Sequence, residues 1–272
     1  MNFIYPDKSI TVRILKEEEN PSKIKSLFQS DKNNFLLDVR GVAFYEVQNG
    51  RMITIIPYKN ADHQSIQLFL NGSILGAVLH QRSILPLHGN SFEYLNKGII
   101  VCGHSGVGKS SVCMAFCQNG AQFINDDISP IIVNDKVFIQ PIGTNIKLWQ
   151  NSFRELKITN DKFEKIRPNI NKFYFPISNK ASNEQKIDHI FILGIHNKDK
   201  FEANRLNGIN KYKALKNHIY RRLYLKGMPE TEKKYFNQIL QLSSTIKITQ
   251  IIRPQICNIY DTMDFIVKEI NR

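Results

Sequence analysis

The octet Gly103–Ser110 combines three glycines with a lysine and a serine in the spacing GxxxxGKS. Glycine lets a backbone wrap closely around phosphate with successive N–H groups pointing inward, and a helix starting near Ser110 would add its positive end. In such a loop the Lys109 ammonium reaches the β- and γ-phosphates, and the Ser110 hydroxyl ligates Mg²⁺. The octet is a P-loop motif, and it predicts a nucleoside triphosphate site rather than a glycine-rich turn without a ligand. The residues expected to bind the nucleotide are Gly103, His104, Ser105, Gly106, Val107, Gly108, Lys109, Ser110 and Ser111.

Two adjacent acids, Asp126 and Asp127, follow the strand that is predicted after the P-loop helix. At that position a carboxylate approaches the metal ion of a P-loop site. Two carboxylates can divide the work, because one can hold Mg²⁺ while the other takes the proton of an acceptor hydroxyl. The alternative is a strand-end turn without chemistry, which Ser129-Pro130 just beyond also favours.

His88 stands fifteen residues before Gly103, in a Leu87-His88-Gly89 loop that is expected to precede the P-loop strand. A neighbouring strand could deliver its imidazole to the phosphate site. An ordinary loop histidine is the alternative.

A second basic group follows much later in the chain. His218, Arg221 and Arg222 are spaced so that His218 shares a helical face with either arginine. The three side chains could hold a triphosphate or an anionic acceptor. A solvated basic face explains the same pattern, with lysine stems lying along the helix surface.

The elements expected around these residues form an α/β fold. A strand at Gly98–Cys102, a helix at Ser111–Asn119 and a strand at Ala121–Ile124 make a βαβ unit around the P-loop. A basic amphipathic helix is predicted at Asn210–Lys226. Further predicted elements are a hairpin at Ile131–Gln140, strands at Ile146–Trp149, Ile187–Gly194 and Ile246–Ile252, and helices at Thr231–Leu242 and Tyr260–Ile270.

The first third of the chain is β-rich. We expect a strand at Ser9–Leu15, two more strands in Asn34–Pro57 around a turn at Asn49-Gly50, and a helix capped by Asp62 that runs to about His80. Residues 1–84 are therefore predicted to form a small N-terminal subdomain, and residues 85–272 the catalytic domain.

The stretch Asn151–Asn183 is polar, rich in lysine and poorly periodic. We expect a mobile surface loop there. The alternative is a lid over an acceptor, with Arg167 and Lys172 as its charged residues.

Composition limits the classes of protein. With 272 residues, 42% hydrophobic and 22% charged, the chain is typical of globular proteins. It lacks both an apolar run long enough to span a bilayer and a signal peptide, so we expect a cytoplasmic protein with no membrane partner. Among its four cysteines, Cys113 and Cys117 fit a packed helix face better than a zinc pair.

The chain carries a strong positive charge. Lys and Arg total 37 against 24 Asp and Glu, which gives a net charge of +13. Such a field attracts nucleotides, acidic partners and nucleic acid. Nucleic acid is not the expected partner, because the aromatic residues do not alternate with basic ones in an RNA-binding pattern.

His88-Gly89, the P-loop and Asp126-Asp127, in that order and spacing, resemble the HPr kinase/phosphorylase family, whose core is a P-loop variant of the phosphoenolpyruvate-carboxykinase-like fold. The resemblance to the bifunctional enzymes covers mainly residues 85–150. A wider resemblance, over nearly the whole chain, is to stand-alone HPr-kinase-like proteins. Some of these lie with lasso-peptide clusters and phosphorylate the precursor peptide, for example on a C-terminal serine. The segments that carry it are Gly72–Gly89, Pro141–Trp149, His218-Ile219-Tyr220-Arg221 and Arg253-Pro254.

The resemblance implies a kinase that uses ATP and Mg²⁺. Lys109 and the P-loop amides would bind the triphosphate, Ser110 and Asp127 would hold Mg²⁺, Asp126 would be the general base, and His88 would contact the transferring phosphoryl group. The division of roles between the two aspartates stays open. Arg221 or Arg222 would stabilise charge on the transferring group.

Two departures from the bifunctional enzymes limit what is implied. Their acid directly after GKS is Ser111 here, and their glycine- and asparagine-rich C-terminal signature helix has no counterpart. The resemblance therefore supports the kinase reaction but not its reversal by inorganic phosphate, HPr as the substrate or a hexamer. Whether the protein is a homo-oligomer stays open.

The sequence leaves three candidate functions open. The first is a kinase acting on a serine of a peptide or protein. A kinase for a small molecule, such as free serine or a sugar, would have a compact acceptor pocket rather than a groove. A regulatory protein that only binds ATP would need the P-loop but not His88, Asp126 and Asp127.

Overall fold

The computed structural model describes residues 3–16, 26–159 and 162–272. Met1 and Asn2, residues 17–25 of the predicted subdomain and residues 160–161 of the predicted excursion lie outside the described residues. The strands are β1 Thr11–Ile14, β2 Phe28–Ser30, β3 Asn34–Val39, β4 Ala43–Gln48, β5 Met52–Pro57, β6 Leu85–Tyr94, β7 Lys97–Gly103, β8 Gln122–Asn125, β9 Ile128–Val133, β10 Val137–Ile139, β11 Asn145–Trp149, β12 Lys172–Pro176, β13 Gln185–Lys186, β14 His189–His196, β15 Glu202–Arg205 and β16 Lys247–Pro254. The α-helices are α1 His63–Phe69, α2 Leu75–Gln81, α3 Lys109–Gln118, α4 Asn151–Glu155, α5 Ile209–Asn217, α6 Pro229–Thr245 and α7 Ile259–Ile270.

In the described part of the chain the first sheet contains five strands in the order β1-β5-β4-β3-β2. Its predicted turn at Asn49-Gly50 is confirmed, and both residues have the positive φ that a tight hairpin requires. The prediction of two strands in Asn34–Pro57 is wrong, because a second reversal divides the segment into three. That reversal uses Gly41, whose φ is +75°.

A helical segment packs against both sheets. Asp62 caps its start as predicted, accepting a hydrogen bond of 2.7 Å from the Ser65 N–H. A π-helical turn at Leu70–Ile74 joins α1 to α2. Side chains on one face enter the core of the first sheet, whereas Leu75 and Leu79 pack with residues that flank the second sheet. The segment therefore links the N-terminal sheet to the rest of the molecule.

The second sheet has the order β13-β10-β9-β6-β7-β14-β16-β15, and β8 also pairs with β6. Strands β7, β14 and β16 are parallel, and β6 is antiparallel to both β7 and β8. Hence β7, α3 and β8 form the predicted βαβ unit with β6 inserted between its strands. One hydrophobic core contains residues of α3 and α7, and another contains residues of α5 and α6. The predicted α/β class is confirmed, whereas a phosphoenolpyruvate-carboxykinase-like core and a boundary at residue 84 remain predictions.

The predicted loop at Leu87-His88-Gly89 is wrong, because these residues lie within β6. The predicted helix at Asn210–Lys226 is confirmed as far as Asn217, where α5 ends, and wrong beyond it, because a 3₁₀-helix begins only at Arg222. The chain between them runs beside β6: the His88 N–H donates to the His218 carbonyl (2.7 Å). β7 does not pair with the first half of β6. The chain after α5 pairs with that edge instead, through Leu87 and Ile219.

The excursion at residues 151–183 is more regular than its composition suggests. It contains α4, and β12 pairs along its whole length with β11. The prediction of a loop is therefore wrong for α4 and β12, whereas the mobility of the other described residues of this stretch stays a prediction. Throughout the part of the chain that the structure describes, no helix is long and apolar enough to cross a membrane.

The stability of this fold should depend on pH through His80, which is fully buried. Its Nε2 lies 2.9 Å from the Tyr220 carbonyl, and burial lowers its pKa to about 4. An unfolded histidine has a pKa of ~6.5, so the unfolded state binds more protons than the folded state between pH ~6.5 and pH ~4. The free energy of unfolding therefore decreases as the pH is lowered through that window.

We therefore expect His80→Gln to be less stable than the wild type at pH 7.5 by urea denaturation. The difference should narrow toward pH 5, because only the wild type loses the contribution of His80. A difference that stays constant between the two pH values would contradict this role for His80.

Candidate active site

The P-loop has the conformation that its glycines allow. Gly103, Gly106 and Gly108 have φ values of +148°, +83° and +103°, and α3 begins directly afterwards at Lys109. The buried Lys109 ammonium donates to the carbonyls of Gly103 (2.9 Å) and His104 (3.1 Å). The loop thus offers backbone N–H groups, a helix N-terminus and a cation at one place, which suits a polyphosphate.

Arg253 supports the loop from strand β16, which β14 separates from β7 in the sheet. Its Nε and Nη2 both donate to the Val107 carbonyl at 3.2 Å, and its Nη1 donates to the Pro254 carbonyl at 3.0 Å. Parallel strands β7, β14 and β16 bring their carboxyl ends to the same edge of the sheet, so Arg253 and the P-loop meet there. The guanidinium therefore acts on the loop backbone.

The two predicted acids lie at the junction between β8 and β9. The Asp126 carboxylate accepts hydrogen bonds from Asn90 Nδ2 (2.6 Å), Ser110 Oγ (3.0 Å) and the Lys147 N–H (3.1 Å). Its side chain is only 3% exposed, whereas that of Asp127 is 27% exposed. Asp126 is thus bound to the P-loop serine, and Asp127 is the more accessible of the two carboxylates.

Lys147 forms ion pairs with both carboxylates. Its Nζ lies 2.5 Å from Asp127 and 3.5 Å from Asp126. Burial and the neighbouring carboxylate raise the pKa of Asp126. Burial alone would also raise the pKa of Asp127, but Lys147 and Lys172 outweigh it and hold that pKa well below its usual range. Asp127 is consequently ionised at neutral pH.

His88 lies close enough to Lys109 and Asp127 for both charges to act on its imidazole. Burial, together with Lys109, lowers its pKa to about 4, against the opposing effect of Asp127. Its ring packs edge-on against Tyr220, with ring centroids 5.5 Å apart. The imidazole is therefore neutral at pH 7 and can donate or accept a hydrogen bond.

The other predicted ligands are placed differently. Arg221 donates to Ser73 Oγ (2.9 Å), Arg222 donates to Asn217 Oδ1 (3.0 Å), and the Ser111 hydroxyl contacts that of Ser152 (3.0 Å). His218 does not share a helical face with the arginines, because the chain leaves α5 at that point. Its ring instead approaches that of His104 in the P-loop, at 6.3 Å between centroids. Nucleotide contacts of Arg221, Arg222 and Ser111 remain predictions.

Sequence reasoning missed Asn90 and Lys147. Asn90 is two residues beyond His88, so the two share a face once the segment is recognised as a strand. Lys147 alternates with the buried Ile146 and Leu148, a pattern that already marks it as facing away from the core. Both signals were present in the sequence, but neither identifies what the side chain would contact.

The residues present fit a magnesium–nucleotide complex. Ser110, Asp126, Asp127 and Asn90 supply hard oxygen atoms, and Mg²⁺ is commonly held by one or two carboxylates together with substrate phosphates. The buried Oδ1 of Asn90 has no hydrogen-bond partner among the described residues, although the Nδ2 of the same amide bonds Asp126. Within those residues, no group of three His, Cys, Asp or Glu side chains could hold a metal ion.

A cavity of about 810 Å³ adjoins Asp126. One wall is formed by α1 and the start of α2, and the other by the β11–β12 hairpin and residues 162–164. Asp126 and Lys147 are both among its lining residues.

Comparisons with known proteins find similarity among solved structures but no match to a family model or a curated protein. No family model matches this sequence, and no curated protein matches it. Among solved structures the chain is similar to the HPr(Ser) kinase/phosphatase from Coxiella burnetii, at 11% identity and a TM-score of 0.36, over 68% of this chain and 90% of that one. This similarity is to the same kind of protein that the sequence motifs resemble.

Removing Lys147 should destabilise the protein. Lys147→Met leaves two carboxylates without their cation, and breaking a buried ion pair in this way costs about 3–5 kcal/mol. We expect that loss in the free energy of unfolding at pH 7, measured with urea. The deficit should shrink toward pH 4–5, because the unpaired carboxylates of the variant then take up protons.

Lys186→Met is the matched control, since its Nζ pairs with Asp188 on the surface (3.2 Å, side chain 75% exposed). A surface pair contributes about 0–1 kcal/mol. Equal losses in the two variants would show that the buried pairing of Lys147 has no special weight.

Proposed function

We propose that this protein is a Mg²⁺- and ATP-dependent kinase that transfers the γ-phosphoryl group to a hydroxyl acceptor, with a serine of a peptide or protein as the acceptor class. The observation that carries the proposal is the hydrogen bond from Ser110 Oγ to Asp126 (3.0 Å), with Asp127 beside it. It joins the phosphate-binding loop to a carboxylate pair, so that a nucleotide and an acceptor could meet at one place. A protein that only senses nucleotide does not need the second, accessible carboxylate.

The proposed roles follow from the contacts. Asp126 bonds the P-loop serine, so we assign Ser110 and Asp126 to the metal side. Asp127 is more exposed and lies in the charged group of His88, so we assign it to the acceptor hydroxyl. This is the reverse of the division that the sequence resemblance implied. When bound, Mg²⁺ would neutralise charge on the β- and γ-phosphates.

Asp127 forms no covalent bond to the phosphoryl group in this reaction. Phosphoryl transfer depends mainly on positioning and on stabilisation of the phosphoryl oxygens. An ionised Asp127, whose pKa is held low by Lys147 and Lys172, can accept a hydrogen bond from the acceptor hydroxyl. It would take the proton of that hydroxyl as the new O–P bond forms, the bond from the γ-phosphorus to the bridging oxygen of ATP breaks, and ADP leaves. The nucleophilic oxygen is thereby oriented.

Lys109 and His88 act on the phosphate side. The Lys109 ammonium would exchange its carbonyl partners, Gly103 and His104, for phosphate oxygens. The neutral His88 would donate a hydrogen bond to the transferring group. Arg253 would keep the loop in position through Val107.

Three variants separate these roles. Lys109→Ala should lose Mg·ATP binding. Asp127→Asn should bind Mg·ATP normally but transfer phosphate ~10²–10⁴-fold more slowly, which is the usual range for general acid–base catalysis. Asp126→Asn should need more Mg²⁺ for half-maximal binding of ATP. Binding is followed by calorimetry, and transfer by mass spectrometry of serine peptides, free serine and sugars after incubation with Mg·ATP.

Asp135→Asn, at the exposed turn between β9 and β10, is the matched control and should behave as the wild type. Unchanged transfer in Asp127→Asn would remove that residue from the acceptor role. ATP binding without transfer or ADP formation in the wild type would instead support the regulatory alternative.

A further inference from the structure

We propose that the cavity between α1 and the β11–β12 hairpin is the acceptor site, and that it takes an uncharged peptide segment with an apolar side chain next to the reacting serine. This inference rests on the proposed kinase function and adds the place and the chemistry of the acceptor. Four observations carry it: position, size, wall chemistry and charge.

The cavity approaches the acids from the side away from the P-loop. Asp126 Oδ1 accepts from Ser110, whereas Oδ2 of the same carboxylate accepts from the Lys147 N–H. Asp126 and Lys147 line the cavity, but as far as the described residues go no residue of Gly103–Ser110 does. A molecule in this cavity would therefore reach Asp126, which Lys147 bridges to Asp127, without passing over the phosphate site, as a phosphoryl acceptor must.

The size of the cavity favours a chain segment over a small molecule. Its volume of about 810 Å³ is in the upper part of the ~300–1,000 Å³ range that holds drug-sized ligands. Free serine or a single sugar would leave most of this space to water. Several residues of an extended peptide would fill it.

Strand alternation explains which side chains of the β11–β12 hairpin line the cavity. Lys147 pairs directly with Tyr174, and Asn145 with Pro176, so these four side chains belong to one face of the hairpin. All four line the cavity. The intervening Ile146 and Leu148 are buried in the core. The sequence of the hairpin therefore builds a polar and aromatic face toward the cavity.

The opposite wall is a helix face of mixed polarity. Gln64, Gln67 and Asn71 recur at helical spacing, and Leu68 and Leu75 lie among them. The carboxamide groups make this wall polar without adding charge, and Leu68 suits an apolar side chain.

The charges in the cavity balance, although the chain as a whole carries +13. The charged side chains in its lining are Lys147, Lys162, Asp126 and Glu164. Lys147 pairs with the two aspartates, and Glu164 accepts from Gln64 at 3.1 Å. The cavity therefore offers no excess of one sign to select a strongly acidic or basic segment.

The first experiment uses the full chain, Mg·[γ-³²P]ATP and a positional-scanning library of peptides that contain one serine. Free serine and sugars are included as separate acceptors. We expect phosphate on the peptides, with a preference for apolar over charged residues beside the serine. Transfer to free serine or sugars alone, or a preference for charged neighbours, would overturn the assigned acceptor class.

The second experiment blocks the cavity. Leu68→Trp should raise the KM of the selected peptide by about tenfold or more while the Kd of Mg·ATP and acceptor-independent ADP formation stay within about twofold of the wild type. Leu68→Lys should shift the library preference toward acidic neighbours. Leu240, on the exposed face of α6 and 44% exposed, provides matched controls: Leu240→Trp and Leu240→Lys should change neither quantity.

The outcomes distinguish this inference from the proposed function. If Leu68→Trp weakens Mg·ATP binding as much as it raises the peptide KM, the cavity holds the nucleoside and the acceptor assignment is wrong. The same conclusion follows if peptide transfer is unaffected by both Leu68 variants. If the wild type binds ATP and transfers phosphate to no acceptor, the kinase function itself fails.

Discussion

The buried carboxylate of Asp126 sets the position of most of the site. A carboxylate removed from water is strongly destabilising unless hydrogen bonds and opposite charge offset the loss of hydration. Here β6 supplies Asn90, α3 supplies Ser110, and β11 supplies both the backbone N–H and the ammonium of Lys147. Three elements from different parts of the chain must therefore meet at the junction of β8 and β9. The same requirement fixes the P-loop relative to the acids and the hairpin relative to the cavity.

The second sheet explains how the phosphate loop is held beside this centre. Because β7, β14 and β16 are parallel, their carboxyl ends share one edge, where ligands of open α/β sheets bind. At this edge Gly103 approaches β14 so closely that a Cβ atom would lie 2.7 Å from the Leu193 carbonyl. From β16, Arg253 holds the Val107 carbonyl. The loop is thus shaped by its neighbours in the sheet as well as by its own glycines.

Charge is distributed unevenly over the molecule. The net charge of +13 favours an anionic partner. The sequence does not show where on the molecule the excess positive charge lies. In the structure, Lys147 and Lys172 act on the aspartates and lower the pKa of Asp127, while the cavity lining contains equal numbers of acids and lysines. The overall charge of the chain therefore does not predict the balance of charge in this cavity.

The sequence by itself determined the local features: the P-loop octet, the strand and helix around it, the Asp62 cap and the Asn49-Gly50 turn. Each depends on glycine conformation, capping or hydrophobic periodicity within a few residues. Only the tertiary structure decided which aspartate meets Ser110, that Lys147 pairs with both acids, and that His218 leaves its helix to bond the edge of β6. These contacts join residues that are far apart in the chain, and they form because buried charges and an unpaired strand edge need partners that local sequence cannot specify.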